Sequence, residues 1–336
     1  MPFLTRKSGD TEPSVLIEGA LGASDGLDWK DNEYRPSRSS IGLDGLGLHA
    51  SKDKVPQRRS CGNAECTGGW TRPWRNSRRP VFEGQWGCSG RCVLTMVRAA
   101  VRRELSDGGA SMPAVPHRHR VPLGLVMLAQ GWITHIQLQK ALSAQRRSGT
   151  GRIGDWLISE CGLNAEQITR GLSMQWGCPV LTTDGFSSEA MALVMPKAFA
   201  QEFGILPLRL AGSQILYLGF ADQLDASAAF AIEQMTELKV VSGVVEGGQF
   251  ESARRRMLAS NGVDVKSETT EDRDEVAVKI TAILEQRQPI LSRLVRVHHY
   301  YWLRLWLERG AVGKVGSLPA TSEDVKDYLF TVRAQQ

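Results

Sequence analysis

The stretch LGLVMLAQGWITHIQLQKALSAQ at 123–145 returns thirty residues later, in unbroken register, as IGDWLISECGLNAEQITRGLSMQ at 153–175. Leu123 aligns with Ile153, Gly124 with Gly154, Gln137 with Gln167, Leu138 with Ile168, Leu142 with Leu172 and Gln145 with Gln175. Each copy opens on an apolar-Gly pair, runs through a short apolar helix and breaks near Gly131 or Gly162. A second helix then starts at Thr134 or Asn164, each with glutamine three residues on, the spacing of a capping box. Along one stripe of that helix stand an apolar residue, another four later and a glutamine three beyond. Each copy therefore reads as a helical hairpin, and two copies can pack as a pseudo-symmetric four-helix unit. Burial of leucines explains most of this pattern. It does not explain a glutamine at equivalent places in both copies.

The double pattern R-L-G-x-x-L-x-x-x-G-x-I-x-x-x-x-L-x-x-x-L-x-x-Q resembles the N-terminal domain of the assembly ATPases of type II secretion and type IV pili, in its cyclic-di-GMP-binding (MshE) form. The resemblance runs on through WGCPVL to about Leu258. It implies a cytoplasmic domain in which each copy holds half of a cyclic dinucleotide, with secretion or pilus machinery as partner. The implied ligand residues are Leu123, Gly124, Leu138, Leu142 and Gln145 in the first copy. In the second they are Arg152, Ile153, Gly154, Ile168, Leu172 and Gln175. Glycine lets backbone come close, helix starts favour phosphate, and arginine offers a planar fork. Two departures stand out. Pro122 occupies the first copy's arginine position, removing a cation and a backbone donor together. Cys161 stands where the second break glycine aligns, and Gly162 follows it.

The family's motor needs a phosphate loop. This sequence has no G-x-x-x-x-G-K-[ST]; GAVGKVG at 310–316 has the wrong spacing and no hydroxyl after Lys314. With 76 residues after Ser260, a non-enzymatic chain is expected.

Four cysteines precede the repeat in two close pairs, Cys61/Cys66 and Cys88/Cys92. Two pairs about twenty residues apart suit a structural four-thiolate zinc site, and four thiolates leave no open catalytic position. Free buried thiols and disulfides are the other readings. Between the pairs, WTRPWRNSRRP interleaves aromatic and basic residues. Such a loop can stack bases and touch phosphates, or can plug a small zinc core. Residues 1–120 carry 19 Lys/Arg against 13 Asp/Glu, whereas 121–336 carry 22 against 23. That bias suits an anionic partner without naming it.

The expected fold class is α+β. Residues 1–57 read as disordered and 58–106 as the zinc module with a helix. A linker follows at 107–120, then the tandem repeat at 121–176. Residues 177–260 alternate helix and strand signals, with a hairpin turning at Ala211-Gly212-Ser213 and a helix opened by Asp225. An acidic linker is expected at 261–274 and a helical tail at 275–336, where Leu291, Leu294, Tyr301, Trp302, Leu305 and Trp306 recur mostly at threes and fours. Pro289 should kink or divide that helix. No run of 18 apolar residues suggests a membrane span. The start MPFLTRKSGDTEP lacks a secretory core, so the chain is expected to be cytoplasmic. No nucleophile stands in a motif beside a base. Three functions fit: a regulatory or adaptor protein sensing cyclic-di-GMP, a zinc-module nucleic-acid-binding regulator, and a ligand-free scaffold.

Overall fold

The computed structural model describes residues 61–67, 80–110, 120–212, 214–307 and 318–333, with the backbone alone for 106–110. The segment 1–57, the loop carrying Arg78 and Arg79, and the 310–316 motif lie outside the described residues.

The C-terminal region departs most from expectation. The acidic stretch is not a linker, and the tail is helical only at its start. Asp264–Thr270 forms strand β6, Arg273–Arg287 a helix (α10), and Leu291–Val297, Tyr300–Trp306 and Val325–Val332 strands β7, β8 and β9. These strands form one sheet in the order β6-β9-β8-β7, with β6 parallel to β9 and the other pairs antiparallel. The helical reading failed because the sheet is covered on both faces. Tyr301, Leu303 and Leu305 point to one core, while Trp302 points to another. A strand apolar on both sides loses the two-residue alternation that would mark it. The turn between β7 and β8 is equally hard to see, since His298 takes φ 51° without glycine or asparagine. Pro289 follows the end of α10 rather than kinking it. β6 escaped notice because it is an edge strand whose Asp264, Lys266 and Ser267 remain in water.

The cysteine region belongs to the same body as this sheet. Val81–Phe82 (β1) and Gln85–Trp86 (β2) form a small hairpin, followed by helix α1 at Gly90–Ala110. α1 thus runs into the expected 107–120 linker. Phe82, Val93, Val97 and Ala100 share a core with Val276, Ile280 and Leu284 of α10 and with Leu303 and Phe330 of the sheet. The Ser292 hydroxyl accepts from the Glu83 amide and donates to the Val81 carbonyl. Two segments far apart in sequence therefore complete one layered unit, and residues 120–260 are inserted between them.

The insert begins with four helices: α2 (Leu123–Ala129), α3 (His135–Ser148), α4 (Ile153–Cys161) and α5 (Ala165–Trp176). Two short helices follow, α6 (Ser188–Met191) and α7 (Lys197–Glu202). Then come strands β3 (Ile205–Ala211) and β4 (Ile215–Phe220), helix α8 (Ala226–Thr236), strand β5 (Lys239–Val244) and helix α9 (Gly247–Ala259). β3 and β4 pair antiparallel, and β5 joins β4 in parallel. As expected, Asp225 opens α8 by accepting the Ala228 amide at 2.8 Å.

A buried ion pair joins two neighbouring strands of the C-terminal sheet, β8 and β9, and its arginine reaches one carbonyl of the insert. Arg304 donates to both Asp327 oxygens, at 2.8 and 2.7 Å, and to the Val194 carbonyl at 2.9 Å. Both side chains are essentially removed from water, at 2% and 0% exposure. Trp302, beside them, packs edge-on against Phe199 of α7 at 5.2 Å.

Candidate functional site

The second helix of each repeat copy is set by its cap. The Gln137 amide donates to the Thr134 hydroxyl, and the Thr134 amide donates back to the Gln137 side chain. Asn164 and Gln167 repeat the arrangement. The first helices differ in length. α2 ends at Ala129 with Gly131 at φ 69°, whereas α4 runs to Cys161 and ends on Gly162 at φ 72°. The displaced glycine thus keeps the left-handed bend and shifts it along the chain.

The copies do not pack as two self-contained hairpins. α3 lies along α4 and α2 along α5, so each first helix rests on the second helix of the other copy. Within each copy the opening glycine touches its own second helix. A methyl on Gly124 would meet Leu138 at 2.5 Å, and one on Gly154 would meet Ile168 at 3.2 Å and Leu123 of the other copy at 3.9 Å. The two opening turns are therefore neighbours.

The paired glutamines now have a structural account. Gln145 donates its amide to the Gly151 carbonyl at 3.0 Å, and Gln175 donates to the Val121 carbonyl at 2.8 Å. Gly151 and Val121 are equivalent positions, thirty residues apart. Each glutamine thus fixes the opening turn of the other copy, which no consideration of one helix stripe could reveal.

Of the eleven residues named for the ligand, Leu123, Gly124, Leu138, Gly154, Ile168 and Leu172 are buried. They shape the floor beneath the turns. Leu142, Gln145, Ile153 and Gln175 are half-buried, and Arg152 is exposed. Arg152 N-caps α4, with its Nε 3.3 Å from an Asp222 carboxylate oxygen. In the other copy, Pro122 takes the equivalent cap position. Arg120 stands over Trp176, its guanidinium carbon 3.3 Å from the ring centroid. The Trp176 indole donates to the Asp222 carbonyl at 3.0 Å. Asp222 and Trp176 are thus part of this surface although neither was singled out in the sequence. Trp176 directly follows Gln175, a usable clue. Asp222 comes from the loop after β4 and had none.

At the other candidate centre the structure brings Cys61, Cys66, Cys88 and Cys92 together, all four sulfurs within 4.8 Å of one another. Cys66 and Cys92 each approach Cys88, at 3.5 and 3.4 Å. A tetrahedral zinc with Zn–S bonds of about 2.3 Å would set its sulfurs about 3.8 Å apart, so the donor set fits. The cysteines are not disulfide-bonded. The side-chain amide of Asn63 donates to the Cys92 sulfur at 3.4 Å and lowers that thiol to about 6. Burial, then hydrogen bonds with Cys66, Cys92 and Cys61, pushes Cys88 up to about 12. A cation among the sulfurs would favour thiolate at all four. Cys92 lies in the first turn of α1, which starts at Gly90. Cys161 and Cys178 stand apart, the former donating to the Gln137 carbonyl of the other repeat copy.

No protein-family model matches the sequence. Among curated proteins, the type IV pilus assembly ATPase PilB of Myxococcus xanthus (strain DK1622) is 26% identical over 46% of this chain. Over about two fifths of its length the chain resembles an N-terminal domain of GspE/PilB-type ATPases. The PilB match spans 30% of PilB's own length. Bacteriophage adsorption protein B of Escherichia coli (strain K12) is 28% identical over 41% of the chain and 18% of that protein. Among solved structures, MshE with cdg aligns over 41% of this chain and 99% of its own, at 26% identity and a TM-score of 0.35. The N-terminal domain of XpsE aligns over 40% at 18% identity and a TM-score of 0.29. Among the described residues, no helix is long and apolar enough to cross a membrane.

Proposed function

We propose that the chain is a non-enzymatic, cytoplasmic regulatory or adaptor protein of the type II secretion or type IV pilus class, with a tandem repeat that takes cyclic-di-GMP and a cysteine quartet that holds structural zinc. The ligand class comes from the resemblance of the doubled pattern to the PilB-type domain. The observation that carries the reading is the reciprocal pair of glutamine bonds, which holds two glycine-led turns side by side over a shared apolar floor. A ligand with two equivalent halves matches two equivalent turns. Leu142 and Ile153 offer apolar contact at the surface, and Gln145 and Gln175 offer amides. Arg152 supplies the cation of the second copy by leaving Asp222 for a phosphate. Pro122 supplies none in the first, which leaves Arg120 beside Trp176 as the nearest guanidinium.

The role of the zinc is mechanical. Four thiolates would pin the β1–β2 hairpin and the start of α1 against the C-terminal sheet, while the repeat binds ligand.

Calorimetry on the full chain with cyclic-di-GMP tests the ligand reading. Heat with one-to-one stoichiometry, weakened about tenfold or more in Arg152→Ala by loss of a charge-assisted bond, is expected. No heat at protein concentrations well above a micromolar Kd, with a known binder as control, rejects sensing. The paired glutamines would then serve packing alone, and the scaffold reading would stand.

A further inference from the structure

We propose that the cleft at one end of the C-terminal sheet is a second, independent binding site, for a compact phosphate-bearing anion. The cleft, open on one side, has a volume of about 680 Å³, within the size range of small-molecule sites. It opens where the parallel strands β6 and β9 end and α10 begins, the side of such strands on which ligands commonly sit.

Arginines enter it from four directions. Arg98 and Arg102 come from consecutive turns of α1, Arg273 from the first turn of α10, Arg296 from β7, and Arg333 from the residue after β9. Buried Val101 and Tyr301 form part of the floor. Convergence on one open cleft suits a compact anion, whereas an extended nucleic-acid strand needs charges laid out in a row.

Acidic residues share the wall. The Asp272 carboxylate accepts the Glu275 amide at 2.7 Å, capping α10. The Glu275 carboxylate accepts the Glu271 amide at 2.7 Å. Asp274 lies 3.3 Å from the Arg98 Nε. His299 lies 3.7 Å from Glu202. Five guanidinium groups therefore face Glu271, Asp272 and Asp274, an excess of positive charge. Because side chains already cap the helix start, the guanidinium groups, and not the α10 amides, do the recognising.

None of the repeat residues lines this cleft, so it can be tested apart from the cyclic-di-GMP reading. Calorimetry at low salt on the full chain uses three probes: inorganic pyrophosphate, GMP, and a short oligothymidylate. Pyrophosphate or GMP should bind, with the tighter of the two separating a bare phosphate from a nucleotide as the ligand. Arg273→Ala/Arg333→Ala, at two exposed positions, should weaken binding about a hundredfold, at about tenfold per charged donor lost. Arg152→Ala should leave it unchanged. The proposal is overturned by absence of heat from both small probes at millimolar concentration, by unaltered affinity in the double variant, or by preference for the oligonucleotide.

Discussion

The buried Arg304–Asp327 pair between β8 and β9 makes a sharp prediction about the stability of the C-terminal sheet. Removing either member strands the other. In Asp327→Leu, Arg304 keeps the Val194 carbonyl but loses two charge-assisted bonds at 2% exposure. In Arg304→Leu, the Asp327 carboxylate is left fully buried and Val194 loses its donor. Breaking a buried pair from one side costs about 3–5 kcal/mol, so each single variant should be destabilised by about that much. The double variant Arg304→Leu/Asp327→Leu has no stranded charge. Its remaining deficit is the unpaired Val194 carbonyl, about 1–3 kcal/mol. Additive behaviour would give about 6–10 kcal/mol. The double variant should therefore be more stable than either single one, or equal to it, with a coupling of several kcal/mol. Urea unfolding followed by far-UV circular dichroism on all four proteins measures this. Singles costing less than about 1 kcal/mol, or a double equal to their sum, would refute the reading of this pair as a buried, mutually dependent charge pair within the sheet.

Three further outcomes follow from the same structure. Chelation should release one zinc per chain and loosen the core shared by α1 and α10, read as loss of near-ultraviolet dichroism; a metal-free protein with an unchanged spectrum would contradict the assigned role. Gln145→Ala and Gln175→Ala should each cost about 0.5–1.5 kcal/mol and weaken cyclic-di-GMP by similar factors, and an effect from only one would break the symmetry argument. Lys326 donates to the Asp264 carboxylate and holds it below the usual carboxylate range. A depressed pKa contributes stability above the unfolded value of about 3.9 and loses it as pH falls through the folded value. Lys326→Met should accordingly flatten the stability profile below about pH 4, whereas a profile identical to wild type would remove that role.

How far the fold could be read from the sequence depended on the range of the interactions. The caps at Thr134 and Asn164, the hairpin turning at Gly212 and the helix opened by Asp225 are local, and each formed where its residues suggested. The cysteine quartet was legible too, because pair spacing alone constrains it. The C-terminal sheet was not, since covering by α1 on one face and the insert on the other erased its alternation. The glutamine bonds run between equivalent turns of different copies, 6 and 54 residues from their donors. Only the assembled pair of copies shows them. Asp222 was invisible for the same reason.

If two equivalent turns act as one binding site, the amide resonances of Gly124 and Gly154 report it during a cyclic-di-GMP titration. Both should shift along a single saturation curve, since one ligand would engage both turns at once. If Gly154 moves while Gly124 stays fixed, or neither moves, the turns do not share a ligand.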